Sequence, residues 1–281
     1  MRINHNISSY NTQRQLTFNN NSSAKNLEKL SSGYRINRAA DDAAGLAISE
    51  KMRNQIRGLE QANRNALDGI SMIQVAEGAL NETHSMLQRM GELYTQAANE
   101  TLTTSDAKKI QDEITQLTEQ IDSIATQTKF NGRELLSTAV DAKELEFQVG
   151  ANEGDTIKLE LKGAQMAQLF AAGALVDLTN TTDANQLNDA AKLEMTKVQK
   201  AIDLVSEIRS GLGAVQNRLE HTINNVGTTA ENLQAAESRI RDVDMAKEMS
   251  DFTKNNILTQ AATAMLAQAN QQPQGILQLL R

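Results

Sequence analysis

Residues 52–97 read MRNQIRGLEQANRNALDGISMIQVAEGALNETHSMLQRMGELYTQA, and every seventh position of this stretch is apolar. Met52, Leu59, Ala66, Ile73, Leu80, Leu87 and Tyr94 make the series, flanked by Ile56, Ala62, Ile70, Ala76 and Ala97. A seven-residue repeat held this long keeps one stripe of an α-helix facing a partner and favours left-handed supercoiling. The second half of the chain carries the matching seam. Val198, Val205, Leu212, Leu219, Val226, Leu233 and Ile240 repeat the spacing, flanked by Met195, Ile202, Ile208, Val215, Ile223 and Ala230. A helix over residues 43–99 is about 85 Å long at roughly 1.5 Å per residue. The two helices are expected to run antiparallel as a rod, with both chain ends at the same end, and rods of this kind rarely form pockets.

Outward from the seams, Thr104-Ser105-Asp106 offers a helix start, and Ile110, Ile114, Leu117, Ile121 and Ile124 give a shorter amphipathic helix. Lys129-Phe130-Asn131-Gly132 reads as a stop and turn. Two period-two runs follow, Leu145-Phe147-Val149 and Ile157-Leu159-Leu161, and predict a β-hairpin joined through residues 150–155. Residues 165–176 are apolar enough for a short helix, and Thr179-Asn180-Thr181-Thr182-Asp183 marks entry to the second long helix. Near the start, Leu27 and Leu30 close a helix before Ser31-Ser32-Gly33, and residues 37–45 form a connector without clear period. The fold class is mainly α: a long antiparallel helical coiled-coil rod with a small β-hairpin region.

The ends have a different character. Residues 255–280 carry no charged side chain, yet Leu258, Ala262, Met265, Ala269, Gln272, Ile276 and Leu279 recur at steps of four and three. Gln, Asn and Thr surround that stripe, which is too polar to cross a bilayer and too short of charge for water. Ile3, Ile7 and Tyr10 share a face in the same way, and His5 is the one side chain of residues 3–13 that ordinarily changes charge near neutral pH. Two unfinished ends predict self-assembly, with Leu27 and Leu30 adding to the contact surface. Pro273 is expected to end or kink the last helix and free the carbonyl of Ala269.

Composition narrows the function classes. The 281 residues include no Trp, one Pro and 3% aromatic side chains, which argues against a conventional enzyme cleft and for uninterrupted helices. A net charge of −7 supplies no footprint for nucleic acid or anionic lipid. The chain has no Cys, so disulfides and thiolate chemistry are absent. The N-terminus lacks the apolar run of a cleaved secretory signal, so export is expected to use another route. His5, His84 and His221 stand apart, without metal-ligand spacing. Asp41-Asp42 and the pair Asp242 and Asp244 are read as solvated or salt-bridged carboxylates rather than acid–base pairs. Gly211-Leu212-Gly213 lacks the third glycine of a phosphate loop, and its glycines are read as permitting close helix packing. No catalytic, cofactor or metal site is expected.

Leu30-Ser31-Ser32-Gly33-Tyr34-Arg35-Ile36-Asn37 and the run Asp41-Asp42-Ala43-Ala44-Gly45-Leu46-Ala47-Ile48-Ser49 resemble bacterial flagellins. So do Ala236-Glu237-Ser238-Arg239-Ile240-Arg241-Asp242-Val243-Asp244 and the ending Gln268-Ala269-Asn270-Gln271-Gln272-Pro273. The resemblance covers roughly residues 1–136 and 195–281. It implies a structural subunit of the extracellular flagellar filament, used for swimming, exported through the flagellar type III channel and polymerised at the tip. It divides the chain into 1–42 (inner coiled-coil segment and connector), 43–138 (rod), 139–183 (short variable hairpin segment), 184–241 (rod) and 242–281 (inner coiled-coil segment). The terminal helices would form the inner coiled coil of the polymer.

The same resemblance implies further partners. They are other copies of the chain, an export chaperone at the C-terminal segment, and the filament cap and hook-associated proteins, with neither nucleic acid nor membrane. A vertebrate Toll-like immune receptor binds many flagellins at a motif that is similar to Gln88-Arg89-Met90-Gly91-Glu92-Leu93, which points to Arg89, Leu93 and Glu113. Gly91 stands where the family often has Arg. The alternative reading is a hook–filament junction protein of the same export set. A secreted ligand devoted to host receptors and a coiled-coil enzyme scaffold are the readings from other classes.

Overall fold

The computed structural model describes residues 6–99, 104–137, 144–161, 163–170 and 184–279. The two heptad stretches are single helices, α2 (Ala43–Ala97) and α5 (Ala184–Arg241). Before, between and after them lie α1 (Ile7–Ser32), α3 (Thr104–Gln127), the one-turn α4 (Met166–Leu169) and α6 (Met245–Leu279). Two small antiparallel pairs complete the order: β1 (Lys129–Phe130) with β2 (Arg133–Glu134), and β3 (Glu144–Gln148) with β4 (Thr156–Glu160). These residues group into two compact units, Met1–Ile56 with Glu231–Arg281, and Arg57–Ala230.

In the second unit the seams meet as expected. Gly91 of α2 faces Val198 of α5, Glu77 lies 3.8 Å from Arg209, and Gly69 faces Leu219, so the helices are antiparallel. Ala66, Ile73, Leu80, Leu87 and Tyr94 are buried against Val198, Val205, Leu212 and Leu219, and α3 closes the core with Ile110, Ile114 and Ile121. Each fully buried Leu or Ile contributes about 1.5–3 kcal/mol, so this layer dominates the stability of the unit. The hairpin pairs Leu145 with Leu159 and Phe147 with Ile157, which lays the apolar positions of β4 on the same core.

Two local readings change and a third gains detail. The turn expected at Lys129–Gly132 is a two-residue one, in which Asn131 (φ 50°) and Gly132 (φ 77°) fold β1 onto β2. Positive φ at both central residues matches the twist of a tight hairpin, and Asn-Gly accepts it readily. The helix expected over 165–176 is limited to Met166–Leu169 before Phe170, and residues 171–183 lie outside the described ones. Pro273 does not end the last helix, because α6 continues to Leu279. A proline removes one donor from the ladder, and the turns on either side still hold.

Candidate assembly interface

The first unit is organised by the connector between α1 and α2. Gly33 (φ 74°) ends α1 in the left-handed conformation and donates its N–H to Lys29 O at 2.9 Å. The chain then pairs briefly with the end of α5. Arg35 N donates to Arg241 O at 2.7 Å, Val243 N donates to Gly33 O at 3.0 Å, and Tyr34 bridges Asp242. The Arg35 guanidinium caps α5 by donating to Ile240 O at 2.6 Å, and Arg241 lies 4.9 Å from the centre of the Tyr34 ring. Arg241 also pairs with Glu50 at 2.8 Å, and Arg53 with Glu237 at 3.1 Å. Two of the stretches that carry the flagellin resemblance, about 200 residues apart in sequence, are thus one structural lock.

From this lock α1 and α6 run side by side, and the chemistry of their seam is unusual. The α1 side of the seam carries Ser9, Thr12, Leu16, Asn19 and Asn26, and the α6 side Phe252, Asn255, Thr259, Ala262, Leu266 and Ala269. With its amide oriented to match its neighbours, Asn26 donates to Glu248 Oε1 at 3.1 Å and accepts from Asn255 Nδ2 at 3.2 Å. Asn19 is buried and accepts from Gln15 Nε2. Many of the large apolar side chains point the other way. Ile7, Tyr10, Phe18 and Leu27 of α1 are exposed, as are Met245, Met249, Ile257, Leu258 and Met265 of α6. Within one chain, the pair buries much of its polar stripe and leaves large apolar groups outside.

The far end of the pair carries a second device. Pro273 has no N–H to offer the carbonyl four residues earlier, and the side chain of Asn6 takes that place, donating from Nδ2 to Ala269 O at 2.7 Å. The Oδ1 of Asn6 accepts from Ser9 N at 3.2 Å and so caps α1. Ser9 Oγ donates to Asn270 Oδ1 at 2.7 Å beside it. The freed carbonyl expected from the sequence is present, and it has a partner.

The expected contact residues divide accordingly. Ile7, Tyr10, Leu27, Leu258 and Met265 are exposed, Ala262 and Ala269 are buried in the intrachain seam, and Leu30 is half-buried. Ile3 and the side chains of Ile276 and Leu279 lie outside the described residues.

Comparison with known proteins settles the family. Residues 3–141 match the bacterial flagellin N-terminal helical region, and residues 195–280 match the bacterial flagellin C-terminal helical region. The chain belongs to the bacterial flagellin family. It is 55% identical to a flagellin of Bacillus subtilis and 57% identical to one of Halalkalibacterium halodurans, each over 100% of both chains. The crystal structure of Bacillus cereus flagellin is similar over 62% of this chain and 94% of that one, at 35% identity and a TM-score of 0.50. As a flagellin the chain is a structural subunit of the extracellular flagellar filament, not an enzyme.

Other expected features of this flagellin take specific roles. Asp42 Oδ1 accepts from Gly45 N at 2.8 Å and caps α2, while Asp244 Oδ1 accepts from Ala246 N and Lys247 N and caps α6. Asp41 Oδ2 accepts from Asn37 N and Arg38 N, and these backbone bonds, led by Arg38, hold its carboxyl below the usual range. Asp242 accepts from Ser238 Oγ at 2.6 Å. Three of the four carboxylates are therefore turn or helix caps, and Asp41, Asp242 and Asp244 are also solvent-exposed, as expected. Among the described residues, no atom beyond the helix's own backbone and the chain neighbours lies within 4 Å of where a Cβ would stand on Gly211 or Gly213, so close packing does not explain those glycines.

Arg89 and Glu113 meet at 3.0 Å, and Arg89 also reaches Glu92 at 3.0 Å, all on exposed side chains. Leu93 departs from the expected group. It is 2% exposed and packed in the core of the second unit, because a position three after Met90 and next to Tyr94 falls on the inner side of α2. A cleft of about 690 Å³ in the same unit is lined by Asp68, Met72, Phe130, Glu134, Glu146 and Phe147. Glu134 is paired with Lys129 and Glu146 with Lys158, an arrangement of ion pairs rather than of an acid and a base.

Proposed function

We propose that this flagellin builds the swimming filament by seating the outward apolar face of the α1–α6 pair on the same pair of neighbouring copies, which forms an inner coiled-coil layer. The observation that supports it is the inverted seam: Ile7, Tyr10, Phe18, Leu258 and Met265 are exposed in a single chain. Burying five such side chains contributes on the order of 10 kcal/mol before the cost of ordering is subtracted. Leu258→Asp and Met265→Asp place a charge on that face without touching the intrachain seam. Both variants are expected to keep wild-type helicity by circular dichroism and to fail in sedimentation after seeded assembly. Normal filament yield from both would refute the assignment.

The same face supports the finer partner readings. The exposed α6 segment around Ile257, Leu258 and Met265 suits an export chaperone that covers apolar helix before secretion, and the ends suit contacts with the filament cap and hook-associated proteins. Arg89, Glu92 and Glu113 support recognition by a host Toll-like receptor, with the buried Leu93 left out of the contact. Monomer rather than filament would activate it, and more weakly than flagellins with Arg in place of Gly91. Receptor-reporter assays of Arg89→Ala and Gly91→Arg monomers test this, and an unchanged response to Arg89→Ala rejects the site.

A further inference from the structure

Methionine is placed unevenly in this chain. Met72, Met90 and Met166 are 7%, 0% and 8% exposed, and Met52, Met86 and Met195 are half-buried. Met245, Met249 and Met265 are 49%, 50% and 61% exposed, and all three stand on α6. Met245 and Met249 are one turn apart, next to the Asp244 cap, and Met265 shares its side of the helix with Leu258. Met249 and Met265 stand outside the intrachain seam, and Met245, one heptad before Phe252 at the first residue of α6, is still 49% exposed, so the three sulfurs are reached without opening the α1–α6 pair.

We infer that these three methionines are an oxidative modification site that gates polymerisation. The substrate class of the modification is a two-electron peroxide oxidant. The thioether sulfur attacks the outer oxygen of hydrogen peroxide, an S–O bond forms as the O–O bond breaks, and the departing hydroxide takes the remaining proton as water. The sulfur is oxidised by two electrons to the sulfoxide and the peroxide is reduced. A sulfoxide turns a flexible apolar side chain into a strongly polar one, which disrupts a methionine-rich contact and is reversible by sulfoxide reductases. Susceptibility follows exposure, so the α6 methionines react before those of the core. Assembly buries them, so the monomer is sensitive and the filament resistant. This inference rests on the assembly face proposed above.

The test treats full-length monomer and preformed filament with limiting hydrogen peroxide and maps sulfoxides by peptide mass spectrometry. In the monomer, Met245, Met249 and Met265 are expected to oxidise first, and the critical concentration for assembly to rise about tenfold or more. Methionine sulfoxide reductase restores it, and a Met245→Leu, Met249→Leu, Met265→Leu variant assembles equally before and after peroxide. Core methionines oxidising at the same rate, or oxidised monomer assembling at the original concentration, overturns the inference while leaving the assembly face standing. Equal oxidation of the three in filament and monomer overturns the assembly face itself, and the inference with it. Should the triple variant fail to assemble untreated, reductase rescue of the wild-type chain decides alone: no rescue refutes the site.

Discussion

Replacing Asn6 removes two interactions at once, and Pro273 says how much of the loss belongs to each. In the wild type, Asn6 Oδ1 caps α1 through Ser9 N at 3.2 Å, and Asn6 Nδ2 satisfies Ala269 O at 2.7 Å. Loss of an Asn cap costs about 1 kcal/mol. Loss of the donor to Ala269 costs about another 1 kcal/mol, the net worth of one part-buried intramolecular hydrogen bond. Asn6→Ala therefore destabilises the α1–α6 pair by about 2 kcal/mol. In a Pro273→Ala background, residue 273 regains an N–H that reaches Ala269 O along the helix, so the second loss disappears. There Asn6→Ala costs only the cap, about 1 kcal/mol, and the coupling between the two positions is about 1 kcal/mol.

The measurement is site-resolved amide exchange in the first turn of α1 and the last turns of α6, which reads local opening in each of the four variants. A whole-chain melt is the wrong probe, because two compact units need not unfold as one transition. Coupling indistinguishable from zero, with Asn6→Ala costing the same in both backgrounds, refutes the idea that Asn6 compensates for the proline. So does an undiminished loss of about 2 kcal/mol in the Pro273→Ala background.

Removal of residues 255–281 is expected to abolish assembly and leave the second unit folded, since its core draws on residues 57–230 alone; light scattering under assembly conditions checks it, and filaments from the truncated chain refute it. Asp41, held below its usual range by the Arg38 and Asn37 backbone N–H groups, stabilises the connector fully at neutral pH. A depressed folded value means that this contribution stays present above the unfolded carboxylate range of about 4 and fades as the pH falls through the folded value. The protection factor of the Arg38 amide, its exchange relative to the unstructured rate at the same pH, is expected to fall in acid in the wild type and to be low at all pH in Asp41→Ala. Identical pH profiles for the two proteins contradict that role.

Legibility in the sequence follows the length of each pattern. The pairing of α2 with α5 is plain because seven apolar residues at one spacing rarely arise without a helical seam to bury them, and the β3–β4 register follows from two clean period-two runs. The β1–β2 hairpin is hidden because two-residue strands have no period to detect; only Asn131-Gly132 signals it. On the terminal helices, the apolar stripe mixes Leu258 and Met265 of the outer face with Ala262 and Ala269 of the seam, and passes over the polar seam positions Ser9, Thr12, Asn19, Asn26, Asn255 and Thr259. Grouping Leu93 with Arg89, four residues away, misplaces it, because Met90 and Tyr94 beside it already mark the core side. The caps at Asp42 and Asp244 are readable from a carboxylate two or three residues ahead of backbone N–H groups at a helix start.

The contrast between the two helical contacts leads to one last expectation. The second unit buries Ile73, Leu80, Leu87, Val198, Val205 and Leu219, whereas the α1–α6 seam mixes Leu16, Phe252 and Leu266 with amides, hydroxyls and alanines. Hydrogen bonds between exposed or half-exposed polar groups contribute about 0.5–1.5 kcal/mol each, against about 1–2 kcal/mol to order each backbone residue that makes them. A seam of that kind holds a helix pair in register but stabilises it weakly, and the apolar groups that would stabilise it strongly face outward, where another copy can cover them. Amide exchange in α1 and α6 is therefore expected to be fast in the monomer and slow in the filament, while exchange in the second unit is slow in both. Equal protection of α1 and α6 in the two states refutes the coupling of folding to assembly, because the polar seam would then suffice without a neighbour.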